Sequence, residues 1–153
     1  MPIFNKLAIG SDHAGYQMKE ALKSILIELG YDIEDCGAHS SESVDYPEFG
    51  EKVARLVASG AASGGVLVCG SGIGISMAAN RVKGARAALC SEPLSARMSR
   101  QHNDANILCM GGRMIGIEMA KEILTVWLNT EFEGGRHQRR VDQLDSICEG
   151  NSK

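Results

Sequence analysis

Cys69 and Ser71 stand in the run VLVCGSGIGIS (66–76), where an apolar stretch ends in a glycine-rich turn and the turn leads into a helical pattern. Glycines at 70, 72 and 74 let backbone approach a ligand, and unpaired N–H groups at the start of the next helix favour an anion. A thiol on the last strand position beside that helix start is biased toward the thiolate, the form that acts as nucleophile or base. The turn therefore has the means to hold a phosphate or a reaction oxyanion next to a reactive group. It is not a dinucleotide fingerprint, because GxGxxG from Gly70 or Gly72 would need glycine at Ile75 or Met77, and it lacks the Gly-Lys-Ser/Thr end of a Walker A loop. The residue pattern alone also fits a tight strand-to-helix connection with a buried, inert cysteine.

Four further groups could do chemistry. Asp12-His13 follows the first apolar run, where Asp12 could equally cap a helix. His102-Asn103-Asp104 precedes the fifth run; it reads either as a turn or as a histidine placed for acid–base work near neutral pH. Arg113 follows two glycines, and Arg136, Arg139 and Arg140 cluster around His137 near the end of the chain. Such arginines form a solvated surface in most proteins, but beside an anion-holding turn their planar donors suit a phosphate.

The elements that position these groups alternate between strand and helix. Apolar runs at Leu7–Gly10, Tyr31–Cys36, Val66–Cys69, Ala85–Leu89 and Asn106–Met110 read as strands. Helical patterns cover Ala14–Leu29, Pro47–Ser59, Ile73–Asn80, Pro93–His102 and Ile115–Leu128, and Val141–Cys148 reads as a short last helix. Short connections between alternating elements predict an α/β, Rossmann-like three-layer sandwich, a five-stranded parallel sheet with helices on both faces. Ligands of such folds bind beyond the carboxyl ends of the strands. That directs attention to Ser11–His13, Gly70–Gly74, Ser91-Glu92 and Gly111–Arg113 at one sheet edge.

The 153 residues fit one domain, with 130–153 as an arginine-rich C-terminal segment. A net charge of −3 disfavours nucleic acid as a partner of the whole domain, and no apolar run is long enough to span a bilayer. Five cysteines without a CxxC pair, and an opening MPIFNKLAIG without a signal-peptide pattern, make a reducing cytoplasm the expected compartment. The cysteines and histidines show no paired spacing for a zinc site.

The chain resembles the B-type ribose-5-phosphate isomerases and the related galactose-6-phosphate isomerase subunits. The resemblance rests on IGSDHAG (9–15), DYPEFG (45–50), VCGSGIGIS (68–76), NRVKGARA (80–87), CSEPLSARMSRQHNDANIL (90–108), GGRMIG (111–116) and EGGRHQRRV (133–141), in order and over almost the whole length. It implies an aldose–ketose isomerase working through an enediolate without metal or other cofactor, on a small sugar phosphate. By the same resemblance Cys69 is the proton-shuttling base, Ser71 assists, and Gly70, Gly72 and Gly74 frame the enediolate site. His102 opens the sugar ring, Asp12, Tyr46 and Asn103 contact the sugar, and His13, Arg113, Arg136 and Arg140 bind the phosphate. One branch of the family carries a glutamate base where this chain has Ile75, which leaves Cys69 for the role. A homodimer with shared sites, paired in some cases to a tetramer, is implied as well. Six-carbon substrates such as allose or galactose 6-phosphate, and a non-catalytic phosphate-ligand-binding domain, are the competing expectations.

Overall fold

The computed structural model describes residues 2–150, with side chains through Ile147. Five strands form one parallel sheet: β1 (Lys6–Ser11), β2 (Asp32–Asp35), β3 (Gly64–Cys69), β4 (Ala87–Leu89) and β5 (Ile107–Gly111), in the order β2-β1-β3-β5-β4. The helices are α1 (Tyr16–Glu28), α2 (Tyr46–Ser59), α3 (Ile73–Ala79), α4 (Pro93–Asn103), α5 (Ile117–Asn129) and α6 (Arg136–Gly150).

Strand side chains alternate between two cores, as a pleated strand requires. Leu7, Ile9, Val66, Val68, Leu108 and Met110 pack under α1 and α5, where the fully buried Trp127 ring stacks on Phe4 at 4.4 Å. Ala8, Leu67, Ile107 and Cys109 pack on the other face against Phe49, Val53 and Val57 of α2 and Ile75 and Ala79 of α3. Both faces of β3 are buried, which explains its unbroken apolar sequence. The sandwich with helices on both sides is the fold read from the sequence.

Chain order departs from β1 in both directions, to β2 on one side and β3 on the other. The carboxyl ends of β1 and β3 therefore flank the switch point where open α/β sheets place their ligand crevice.

Most boundaries shift by one or two residues from the sequence reading, and one shifts further. The last helix starts at Arg136, five residues before Val141. Residues 136–140 are all polar and carry no apolar periodicity, yet Gly134 and Gly135, at φ 67 and 54, turn the chain directly into the helix.

Candidate active site

Cys69 is the last residue of β3 and faces the α2/α3 side, with 4% of its surface exposed. Its Sγ accepts the N–H of Gly72 at 3.2 Å. Gly72 sits at φ +79, and a Cβ there would lie 2.5 Å from Leu89 Cδ1 and 2.8 Å from the Met110 carbonyl carbon. Only glycine lets this turn fold back onto the sulfur. α3 has just seven residues, so the sulfur meets one directed N–H rather than the dipole of a long helix. The Ser71 hydroxyl accepts the Ile73 N–H at 3.2 Å and lies in the exposed part of the turn. Burial pushes the Cys90 and Cys109 thiols up, and it pushes Cys36 up to about 11, so these three stay protonated near neutral pH.

Neighbouring loops converge on this turn. Gly112 and Arg113 donate backbone N–H groups to the Cys69 and Gly70 carbonyls at 2.8 and 2.9 Å, which brings the Arg113 guanidinium alongside Gly70. Tyr46, at the start of α2, packs so closely on Gly74 that a Cβ there would be 2.5 Å from Tyr46 Cζ. Asp12 is buried after β1 and its Oδ1 accepts the Gly15 N–H at 3.0 Å; Gly15 itself is the N-cap of α1, so Asp12 braces the turn ahead of the helix rather than capping it. His13 Nδ1 lies 3.2 Å from both the N–H and the carbonyl of Val44, which leaves Nε2 outside that contact. Asp12, His13, Tyr46, Cys69, Ser71, Gly70, Gly72, Gly74 and Arg113 thus gather at the carboxyl edge, around the switch point.

His102, Asn103, Arg136 and Arg140 gather elsewhere. α4 leaves β4 at the carboxyl edge and runs back along the sheet, so its last turn, with His102 and Asn103, lies near the start of β5. The His102 ring stacks on His137 of α6 at 4.6 Å with 15° between planes. Burial first, then the neighbouring His102 and arginines, lowers the His137 pKa. In register, Cys69 pairs with Gly111 and Gly65 with Ile107. Four strand residues at about 3.3 Å each, so about 13 Å of sheet, separate the two edges. One chain therefore carries two clusters of candidate site residues at opposite ends of the sheet.

The fold is matched by a protein-family model described as Ribose/Galactose Isomerase, over residues 7–144. Ribose-5-phosphate isomerase B of Escherichia coli (strain K12) is 49% identical over 142 residues, 93% of this chain and 95% of that protein. The chain belongs to this family. Among solved structures, ribose-5-phosphate isomerase B of Clostridium thermocellum superposes with a TM-score of 0.94 at 50% identity, covering 95% of this chain and 99% of that one. The ribose 5-phosphate isomerase of Thermotoga maritima gives a TM-score of 0.91 at 49% identity, covering 94% and 99%.

Sequence reasoning missed the residues that hold the His102 cluster of this Ribose/Galactose Isomerase chain in place. Arg86 bonds Asp145 of α6 at 3.1 Å and the Asp104 carbonyl at 3.1 Å, while Arg100 reaches Asp104 Oδ1 at 2.9 Å and the Thr130 carbonyl at 3.0 Å. Asp104, at φ 47, is the non-glycine residue in the left-handed region among the described residues, and it caps α4. Arg86 and Asp104 lie inside the quoted motifs, but nothing in their spacing marks them as partners. Also unread were Ile73, Met77, Leu89 and Met114, large apolar side chains left exposed around the Cys69 turn.

Proposed function

We propose that this protein interconverts ribose 5-phosphate and ribulose 5-phosphate through an enediolate, as a cytoplasmic enzyme of the non-oxidative pentose phosphate pathway. The observation that carries the reading is the Cys69 sulfur held at the switch point against the Gly72 N–H. A thiolate there removes the proton from C2 and returns it to C1, and oxygen charge developing in between is met by the remaining N–H groups of the Gly70–Gly74 turn. Ser71 moves the hydroxyl proton between O1 and O2. His102 opens the furanose ring, and Asp12, Tyr46 and Asn103 hold the sugar. His13, Arg113, Arg136 and Arg140 bind the phosphate, far from the reacting carbons, so that its binding energy orients them. The chemistry asks nothing of a metal or other cofactor.

Two clusters on opposite edges support a homodimer in which His102, Asn103, Arg136 and Arg140 of one copy complete the Cys69 site of the other, with residues 130–147 packing between copies; the rest of the C-terminal segment expected to pack there lies outside the described side chains. The exposed Ile73, Met77, Leu89 and Met114 around the turn offer the apolar surface for that docking.

A coupled isomerase assay with ribose 5-phosphate, allose 6-phosphate and galactose 6-phosphate tests the reading. Wild type should form ribulose 5-phosphate, and Cys69→Ala should lose about a thousandfold in turnover while still binding ribose 5-phosphate. Near-normal turnover of Cys69→Ala overturns the assignment of the base. Binding without turnover by the wild type would make this a phosphate-ligand-binding domain, and preference for a six-carbon sugar would reassign the substrate.

A further inference from the structure

We propose that His102, Glu133 and His137 form an inhibitory site for a divalent transition cation of the zinc type, and that a cation held there withdraws His102 from ring opening. Among the described residues, these three bring one ligand atom each to within 4.8 Å of one another. His137 is 8% exposed, and its buried Nε2 has no hydrogen-bond partner. Glu133 Oε1 lies 3.5 Å away, at ion-pair distance but without hydrogen-bond geometry. A closer i,i+4 contact would have satisfied that nitrogen; here it makes no hydrogen bond and lies within the cluster.

The spacing suits a small cation. Tetrahedral zinc with ligands at about 2.0–2.1 Å sets neighbouring donors about 3.4 Å apart. The Glu133–His137 pair already stands at that separation. The stacked His102 ring, at 4.6 Å between centroids, closes the third side by turning in place. Two imidazoles and one carboxylate favour zinc, cobalt or nickel over magnesium or calcium, and leave a fourth position for water.

The backbone beneath is fixed. Glu133 donates its N–H to the Gln101 carbonyl at 3.1 Å, and His137 donates to the Gly134 carbonyl at 3.0 Å. Arg86 pins α6 through Asp145. Arg136 and Arg140 add positive charge on the same helix against a single carboxylate, so binding is reversible and a chelator removes the cation. The sequence shows no such site because His102 stands 31 residues before Glu133, and they are joined by tertiary contacts, the Glu133 bond to Gln101 and the packing of α6 on α4.

The inhibition half of the proposal rests on the ring-opening role of His102; the binding half does not. Zinc titrated calorimetrically into metal-free Cys69→Ala protein, which lacks the competing thiol, should bind once per chain. Adding Glu133→Gln or His137→Gln should weaken binding at least about tenfold. Cobalt should give visible d–d bands without a sulfur-to-metal charge-transfer band. In the otherwise wild-type enzyme zinc should inhibit, EDTA should restore activity, and Glu133→Gln should need about tenfold more zinc for the same inhibition while keeping its metal-free turnover. Unchanged binding in both variants, or a charge-transfer band, overturns the site. Uptake that leaves turnover of a working isomerase unaffected overturns the link to His102.

Discussion

Pairing two inactive variants decides whether the Cys69 and His102 half-sites work across a subunit boundary. The register places Cys69 opposite Gly111, while His102 lies beyond Ile107 at the other end of β5, so about 13 Å of sheet separates them in one chain. That is far beyond the reach of a base and an acid acting on one five-carbon sugar, which must both come within about 3 Å of it. In the twofold dimer proposed above, each site takes Cys69 from one copy and His102 from the other. Cys69→Ala and His102→Asn homodimers should therefore both be impaired, Cys69→Ala by about three orders of magnitude. A hybrid with one chain of each kind has one doubly defective site and one intact site, so it should turn over at about half the wild-type rate per dimer. Co-expression with two different affinity tags and sequential purification isolates that hybrid, and ribulose 5-phosphate formation is the readout. If both residues served a site within one chain, each site of the hybrid would carry one lesion. Hybrid activity no higher than that of the parents would refute the shared-site geometry.

Other expectations follow from individual contacts. His102→Asn should slow turnover of the cyclic sugar phosphate far more than that of an acyclic analogue, and equal losses in stopped-flow assays would count against ring opening. Gly72→Ala should lower stability by about 2–4 kcal/mol, from left-handed backbone strain plus the clash with Leu89 and Met110; an unchanged denaturant midpoint would contradict it. Burial pushes the Asp35 carboxyl up, but hydrogen bonds from Lys19, Lys23 and the Gly37 N–H outweigh it and hold the pKa at about 2, below its ordinary 3.8. A lowered folded pKa gives stability that is complete above the unfolded value and is lost as pH falls toward about 2. Unfolding titrations from pH 5 to about 2.5 should lose about 1–2 kcal/mol through this group, and Asp35→Asn should flatten that limb; parallel acid limbs would argue against it.

Much of this architecture was legible because each element carries its own pattern. The unbroken apolar run of β3 and the 3.6-residue spacing of Met18, Leu22 and Leu26 in α1 report burial directly. The convergence of Asp12, the glycine turn and Arg113 on one edge followed from strand direction alone. The start of α6 did not, because its first turn is polar and Gly134-Gly135 read as a break rather than a beginning. Assigning His102 to the same chemistry as Cys69 came from family resemblance, and local spacing carries no mark of the sheet between them. Pairings across long stretches, such as Arg86 with Asp145, depend on tertiary packing and leave no periodic trace.

The Lys19 ammonium is fully buried beneath the first loop of the site. It donates to the Ala38 carbonyl at 2.6 Å and pairs with Asp35 at 2.8 Å, and Asp35 in turn accepts the Gly37 N–H at 2.9 Å. The same loop runs on to Val44, which braces His13, and to Tyr46, which leans on Gly74. An ion pair outside the Cys69 turn thus braces the loop that sets where the His13 and Tyr46 side chains stand. Lys19 also pairs with Glu20 at 3.1 Å and Asp35 with Lys23 at 2.9 Å, so each charge keeps a partner when the other is lost, while the bond that ties α1 to this loop is gone. A substitution at Lys19 or Asp35 therefore acts on His13 and Tyr46 through the course of this loop, from outside the Cys69 turn.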